Sequence, residues 1–219
     1  MVIAIDGPAG SGKSTTAKHA AEKLGFIHIN TGAMYRGVAL KCIQGKIDLN
    51  SLSEIDKILN QTKFEFGREG GSFLFMDGVD ITSEITSTQV TELVSQVSAN
   101  PKVREKLVQY QRDMAKGLNV VLEGRDIGTV VFPDAEFKFF LIADITERAW
   151  RRKQEMETMG EIVSLTELTA ELEERDRKDS TREHSPLKKA EDAVEIDTTG
   201  LSITEQVNRI VEIVNKSIK

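Results

Sequence analysis

The stretch Gly7-Pro8-Ala9-Gly10-Ser11-Gly12-Lys13-Ser14-Thr15 has the residue types and spacing needed to hold a triphosphate. It fits the pattern G-x-x-x-x-G-K-[ST], in which glycines let successive backbone N–H groups point inward at the start of a helix. Lys13 can reach the β- and γ-phosphates, and the hydroxyl of Ser14 or Thr15 can help hold Mg2+. The context fits too: the apolar run VIAI (2–5) comes before the loop, and a helical pattern follows it.

A phosphate loop serves switches, motors and kinases alike, so the rest of the chain must decide between them. No N-K-x-D segment of the kind that reads guanine is present. VVLEGRD (120–126) ends a strand pattern on the acidic Glu123, as in motor and transporter ATPases, but 219 residues leave no room for their coupling domains. Small-molecule kinases remain, and these need a second, acceptor-binding site and arginine-bearing segments that close over the transferred group.

Three clusters are candidates for that second site. NTGAMYRG (30–37) places Tyr35 and Arg36 in the opening turns of a helix, where the dipole and unpaired N–H groups favour an anion. EGRDIGT (123–129) follows a buried strand, so Arg125 and Asp126 stand at a strand's carboxyl end, where ligands of open α/β sheets bind. Arg148, Arg151 and Arg152 share one helix face at i, i+3, i+4. Arg175, Asp179 and Arg182 form a second stripe at i, i+4, i+7 if their helix persists. Each cluster also has a plainer reading: a core tyrosine beside a solvated arginine, a surface pair in a turn, a helix laced with salt bridges. The phosphate loop tips the balance toward a lid. His19, His28 and His184 lack metal-ligand spacing, and Cys42 reads as core.

The elements that must position these residues alternate between strand and helix. Strands are predicted at 2–5, 26–29, 119–124, 137–142 and 193–197. Helices are predicted near 13–24 (stopped by Gly25), 32–44 (capped by Thr31), 53–61, 86–99, 101–116, 145–158, 165–178 and 203–217. Ser164 and Glu167 have capping-box spacing before the stripe Leu165, Leu168, Leu172. KFEFGREGGSFLFMDGVDI (63–81) interrupts the alternation with a hairpin signal around GREGG. Nearly continuous apolar strands alternating with helices imply a parallel sheet covered on both faces. The expected organisation is a single P-loop domain: core 1–61, 85–147 and 185–219, a β-rich insertion at about 62–84, and a lid at about 148–184.

Composition sets outer limits. With 39% hydrophobic and 29% charged residues, the chain reads as an ordinary globular protein. A net charge of −6 argues against a general nucleic-acid or acidic-membrane binder but not against one local anion pocket. A single cysteine excludes a disulfide framework, and no signal-peptide pattern or membrane-length apolar run is found, so a cytoplasmic protein is expected. A monomer is the default expectation.

DGPAGSGKST, NTGAMYRG, SQVSANPKVRE, LEGRDIGTVVFPDA and ERDRKDSTREHSPL occur in the order and spacing of bacterial-type cytidylate kinases, and the resemblance covers nearly the whole chain. It implies an α/β P-loop nucleoside-monophosphate kinase fold with a five-stranded parallel sheet, a monophosphate-side insertion and a mobile helical lid. It also implies Mg2+-dependent transfer from ATP to CMP or dCMP. By that resemblance Gly7 to Thr15 bind the ATP phosphates. Thr31, Tyr35, Arg36, Ser95, Arg104, Arg125, Asp126, Arg175, Asp179 and Arg182 surround the CMP. Lys13, Arg125 and Arg175 are expected to stabilise the transferring group, with Arg148, Arg151 and Arg152 as lid arginines. Ser95 and Arg104 enter through the resemblance alone. Thr31 stands where a serine is expected and keeps the hydroxyl. Ser14 stands where some relatives carry glycine. The alternatives are a kinase of small-molecule alcohols (shikimate- or gluconate-type), with Asp126 as base, or a nucleotide-dependent regulatory module.

Overall fold

The computed structural model describes residues 1–66, 74–158 and 160–218. Its main sheet has five parallel strands in the order β2 (Ile27–Asn30), β6 (Val120–Gly124), β1 (Val2–Asp6), β7 (Phe137–Ile142) and β8 (Val194–Asp197). The strands at its centre are apolar because both faces are covered. On β1 the period-2 alternation sends Ile3 and Ile5 to one face and Ala4 to the other. Ile3 and Ile5 pack with α1 (Lys13–Leu24) and α8 (Ile203–Ile218), through Ala17, Ala20, Val207 and Ile210. Ala4 joins Ile29, Leu122 and Ala115 of α5 (Pro101–Ala115) on the opposite face.

A second core lies beside the sheet. Helices α2 (Thr31–Gly45), α3 (Leu52–Gln61), α4 (Thr88–Ala99) and α5 enclose Met34, Val38, Ile55, Val90 and Leu107. They are joined there by Phe64, Leu74 and Met76 from a small antiparallel sheet of β3 (Phe64–Phe66), β4 (Leu74–Met76) and β5 (Val79–Asp80). The 63–81 pattern thus yields three strands. The predicted GREGG turn lies outside the described residues, and the second turn is Asp77-Gly78, both at positive φ as a tight hairpin requires. Helices α6 (Ile145–Thr158) and α7 (Leu165–Thr181) pack together over the phosphate loop, burying Ala149, Leu168 and Leu172 against Ala9.

Several boundaries depart from the expected ones. Asn30 rather than Thr31 caps α2, its side chain accepting from the Ala33 N–H, and Thr31 is the first helical residue. The expected capping box at Ser164 is absent: that side chain makes no cap hydrogen bond, and only its carbonyl starts the helix. Helix α7 runs to Thr181, and Arg182 is its extended C-cap, so the third member of the 175–179–182 stripe leaves the helix. A single 3-10 turn, Glu84–Thr86, precedes α4.

Candidate active site

The carboxyl ends of β1, β2 and β6 open into a cleft of about 920 Å3 roofed by α6 and α7. Its two ends are built differently.

At one end the phosphate loop passes from β1 into α1. Gly7 at φ 153° passes so close to β7 that an added Cβ would lie 2.2 Å from the Leu141 carbonyl oxygen. Gly12, at φ 84°, occupies the N-cap of α1 without a capping side chain, which leaves the first-turn N–H groups open to an anion. Lys13 is buried, and its Nζ donates to the Pro8 carbonyl at 2.8 Å. Burial, with the nearby Arg125 guanidinium, pushes the Lys13 ammonium down to about 7, against the pull of Glu123. The loop's far side is braced: Thr198 Oγ1 donates to the Ser11 carbonyl at 3.0 Å, and Thr16 Oγ1 to Gln206 at 2.7 Å. Ala9, Gly10, Gly12, Lys13, Ser14 and Thr15 line the cleft, whereas Gly7, Pro8 and Ser11 shape the loop from outside it.

Ser14 Oγ donates to Glu123 Oε2 at 2.6 Å, joining the phosphate loop to the end of β6. Glu123 is buried, and its other carboxylate oxygen lies 3.7 Å from His28 Nε2, beyond hydrogen-bond distance. Burial raises this carboxyl, but His28, Lys13 and Ser14 outweigh it and hold it below its ordinary value. The sequence placed no role on Glu123. The available signal was an acidic residue ending the strand beside the phosphate-loop strand, the place from which such proteins hold a metal.

The other end of the cleft is made of side chains. Arg104, in the first turn of α5, forms a buried ion pair with Asp126 and lies 5.6 Å from the centre of the Tyr35 ring. Arg182 approaches the other Asp126 oxygen at 3.5 Å and donates its Nε to the Ser185 carbonyl. Arg125 Nε donates to Asp179 at 2.9 Å. Arg36 donates to the Ile85 carbonyl and to Thr91 Oγ1 at 3.0 and 2.9 Å. Thr31 Oγ1 donates to the Glu123 carbonyl at 2.7 Å, pinning the start of α2 to β6. Arg175 makes no hydrogen bond or ion pair to another described residue. Burial lowers both Arg36 and Arg175 to about 10, while burial raises Asp126 against Arg104 and Arg182.

All ten residues expected around the acceptor line this one cleft, Ser95 included. The arginines of α6 separate. Arg151 donates to the Thr198 carbonyl at 2.7 Å, and Arg152 faces the cleft with Glu155 as its ion-pair partner. Arg148 does not reach the cleft: it is buried under the phosphate loop, donating to the Ala9 carbonyl at 3.0 Å and to Asp176 at 2.5 Å. Its place is structural, because the shared helix face is buried at one position and open at another. The cleft counts eight cationic against five acidic side chains, a positive basin in a chain of net charge −6.

Among the described residues no three His, Cys, Asp or Glu side chains cluster as a metal cage, and no helix is long and apolar enough to cross a membrane.

The family model described as cytidylate kinase matches residues 3–216. A cytidylate kinase of Pediococcus pentosaceus is 50% identical over 219 residues, covering 99% of this chain and 96% of that protein. One of Geobacillus sp. is 49% identical over 217 residues, covering 99% and 97%. An uncharacterized protein from Eubacterium ventriosum has a solved structure with a TM-score of 0.56 at 12% identity, over 98% of both chains, a likeness of fold alone. With nearly every residue inside the match and half of them identical to a curated relative, the chain belongs to the cytidylate kinase family.

Proposed function

We propose that this chain transfers the γ-phosphoryl group of ATP to CMP or dCMP, giving ADP and CDP or dCDP. The observation that carries the reading is one cleft with two cationic ends: a backbone cradle beside Lys13, and a side-chain cluster in which the Arg175 guanidinium pairs with no other described residue. Family membership supplies the cytosine.

The acceptor in this reaction is a phosphate oxygen, already anionic at neutral pH, so no general base is required. The protein must bring two repelling anions into line, spread positive charge over the transferring group and exclude water. Lys13, Arg125 and Arg175 are assigned the charge on that group. Thr31, Tyr35, Arg36, Ser95, Arg104, Asp126, Asp179 and Arg182 are assigned to the acceptor. The α6–α7 segment, within 148–184, is assigned the closing motion, with Arg151 and Arg152 as its cleft-facing arginines. The described part of the insertion assigned to 62–84 packs Phe64, Leu74 and Met76 behind α2 on the acceptor side.

The residues present fit Mg2+. Ser14 and Glu123 meet at the β6 end, where a hydroxyl and a carboxylate, its second oxygen 3.7 Å from His28 Nε2, offer what a magnesium ion needs beyond phosphate and water. When bound, the ion would neutralise charge on the phosphates. Ser14 and Glu123 are the residues that would hold it.

The alcohol-kinase alternative is not favoured, because both Asp126 oxygens are engaged by guanidinium groups, leaving neither free to take a hydroxyl proton. A monomer acting on nucleotides in cytoplasmic pyrimidine metabolism, without nucleic acid or membrane partners, completes the proposal.

An acceptor panel read by coupled ADP release tests it. CMP and dCMP should drive turnover, with UMP distinctly poorer. Turnover on shikimate or gluconate but not on CMP overturns the reading. Tight ATP binding with no acceptor-dependent turnover points instead to a regulatory module.

A further inference from the structure

Asp6 lies outside every role assigned so far, yet it stands where the two ends of the cleft join. It is the last residue of the central strand, directly before Gly7, and its backbone pairs with Gly124 of β6. Its carboxylate is buried and forms no ion pair with another described residue. Oδ1 accepts the Ile127 N–H and Oδ2 the Gly128 N–H, each at 2.8 Å.

Those two N–H groups begin the π-helical turn Ile127–Val131, whose N-cap is Asp126. The first N–H groups of any helical turn need acceptors, and an aspartate at the N-cap ordinarily supplies one from its own side chain. Asp126 makes no such capping bond. Its carboxylate turns away from its own turn to meet Arg104 and Arg182 in the cleft. Asp126 can face the acceptor only if something else satisfies the N–H groups behind it, and Asp6 does so from the neighbouring strand. Gly128 fits closely there, for an added Cβ would lie 3.2 Å from Lys138 and 3.5 Å from Asp6 Oδ2.

We propose that Asp6 is a positioning residue of the acceptor site, capping the 127–131 turn in place of Asp126 and so freeing Asp126 to hold Arg104 and Arg182. The inference rests on the acceptor-site reading above. Asn at position 6 retains the shape but sets an NH2 group against one of the two N–H donors. Asp126 then swings back to its own turn, and Arg104 and Arg182 lose their partner.

Asp6→Asn should therefore raise KM for CMP by about tenfold or more while KM for ATP moves less than about threefold. A double-mutant cycle separates this from plain destabilisation. If Asp6 acts through Asp126, adding Asp6→Asn to Asp126→Asn should worsen KM for CMP by no more than about twofold, since coupled residues are non-additive. Multiplying effects, an unchanged KM for CMP, or an equal rise for ATP would overturn the proposal. Should Asp6→Asn fail to fold, amide exchange in the wild-type chain decides: slow exchange at Ile127 and Gly128 supports the cap, and solvent-like rates at either overturn it. Absence of CMP turnover in the wild-type chain refutes the functional reading itself. Normal wild-type turnover with an indifferent Asp6→Asn refutes only the role of Asp6.

Discussion

The end of the cleft assigned to the donor is built mainly from backbone: glycines at 7, 10 and 12 in conformations other residues resist, open N–H groups at the start of α1, and one lysine. The acceptor end uses almost no backbone. Its cations and carboxylates come from α2, α5, the end of β6 and the end of α7, and most are already paired with one another. A cradle of N–H groups can be written in nine consecutive residues. A lattice of arginines and aspartates exists only after helices distant in sequence have packed. On the proposed reading the first would accept any triphosphate, and the second would discriminate, because a ligand must replace the partners the arginines already have.

Substitutions at each end should therefore fail differently. The largest effect is expected at Lys13. Lys13→Met should lower turnover by about three orders of magnitude, roughly 4 kcal/mol of barrier, with the fold intact by thermal denaturation. A loss below tenfold would mean that the cradle alone carries the transferring charge. Next come Arg36→Ala and Arg182→Ala, each expected to cut kcat/KM for CMP by about a hundredfold while KM for ATP shifts less than about threefold. Equal losses for both substrates would erase the division into two ends.

A smaller effect concerns protons. Burial lowers Lys13 to about 7, so in the free chain it is charged below that pH and largely neutral above it. A bound phosphate favours the charged form and raises the pKa again. ATP binding should thus take up more protons at pH 8 than at pH 6, read by calorimetry in buffers of differing ionisation enthalpy. Equal uptake at both pH values would contradict this. Smallest is a spectroscopic change: Trp150 is the sole tryptophan, 49% exposed on the wall of the cleft, and ATP should alter its emission. An ATP-saturated chain with unchanged emission would place the donor base elsewhere.

The same contrast governs what could be read from sequence. The phosphate loop was legible because its conformation is set locally, by glycine φ angles and one lysine. The central strands were legible because a doubly covered sheet demands apolar runs, whereas edge strand β8, VEID, has only Ile196 buried. Arg104 was not, since in the first turn of α5 its type and spacing match any surface charge. Only the packing of α5 against the end of β6 buries it on Asp126. Glu123 and Asp6 act across more than a hundred residues, through neighbouring parallel strands whose order no local pattern states. Arg148 was grouped with Arg151 and Arg152 by helix face, yet it is buried under the phosphate loop while the other two reach the cleft, because periodicity says which side chains align and nothing of what covers them. At α2 the cap expected at Thr31 falls to Asn30, and Thr31 is instead drawn to the Glu123 carbonyl.

The neighbouring placement of β1 and β6 has one more consequence. The donor loop leaves the end of one strand and the acceptor loop the end of the next, and five consecutive residue pairs, Val2–Val120 to Asp6–Gly124, hold them in register. Adjacent strands lie about 4.8 Å apart whatever the helices above them do. The sheet thus works as a ruler: the roots of the phosphate loop and of the Arg125–Asp126 loop keep one fixed separation, whatever movement α6 and α7 make above them.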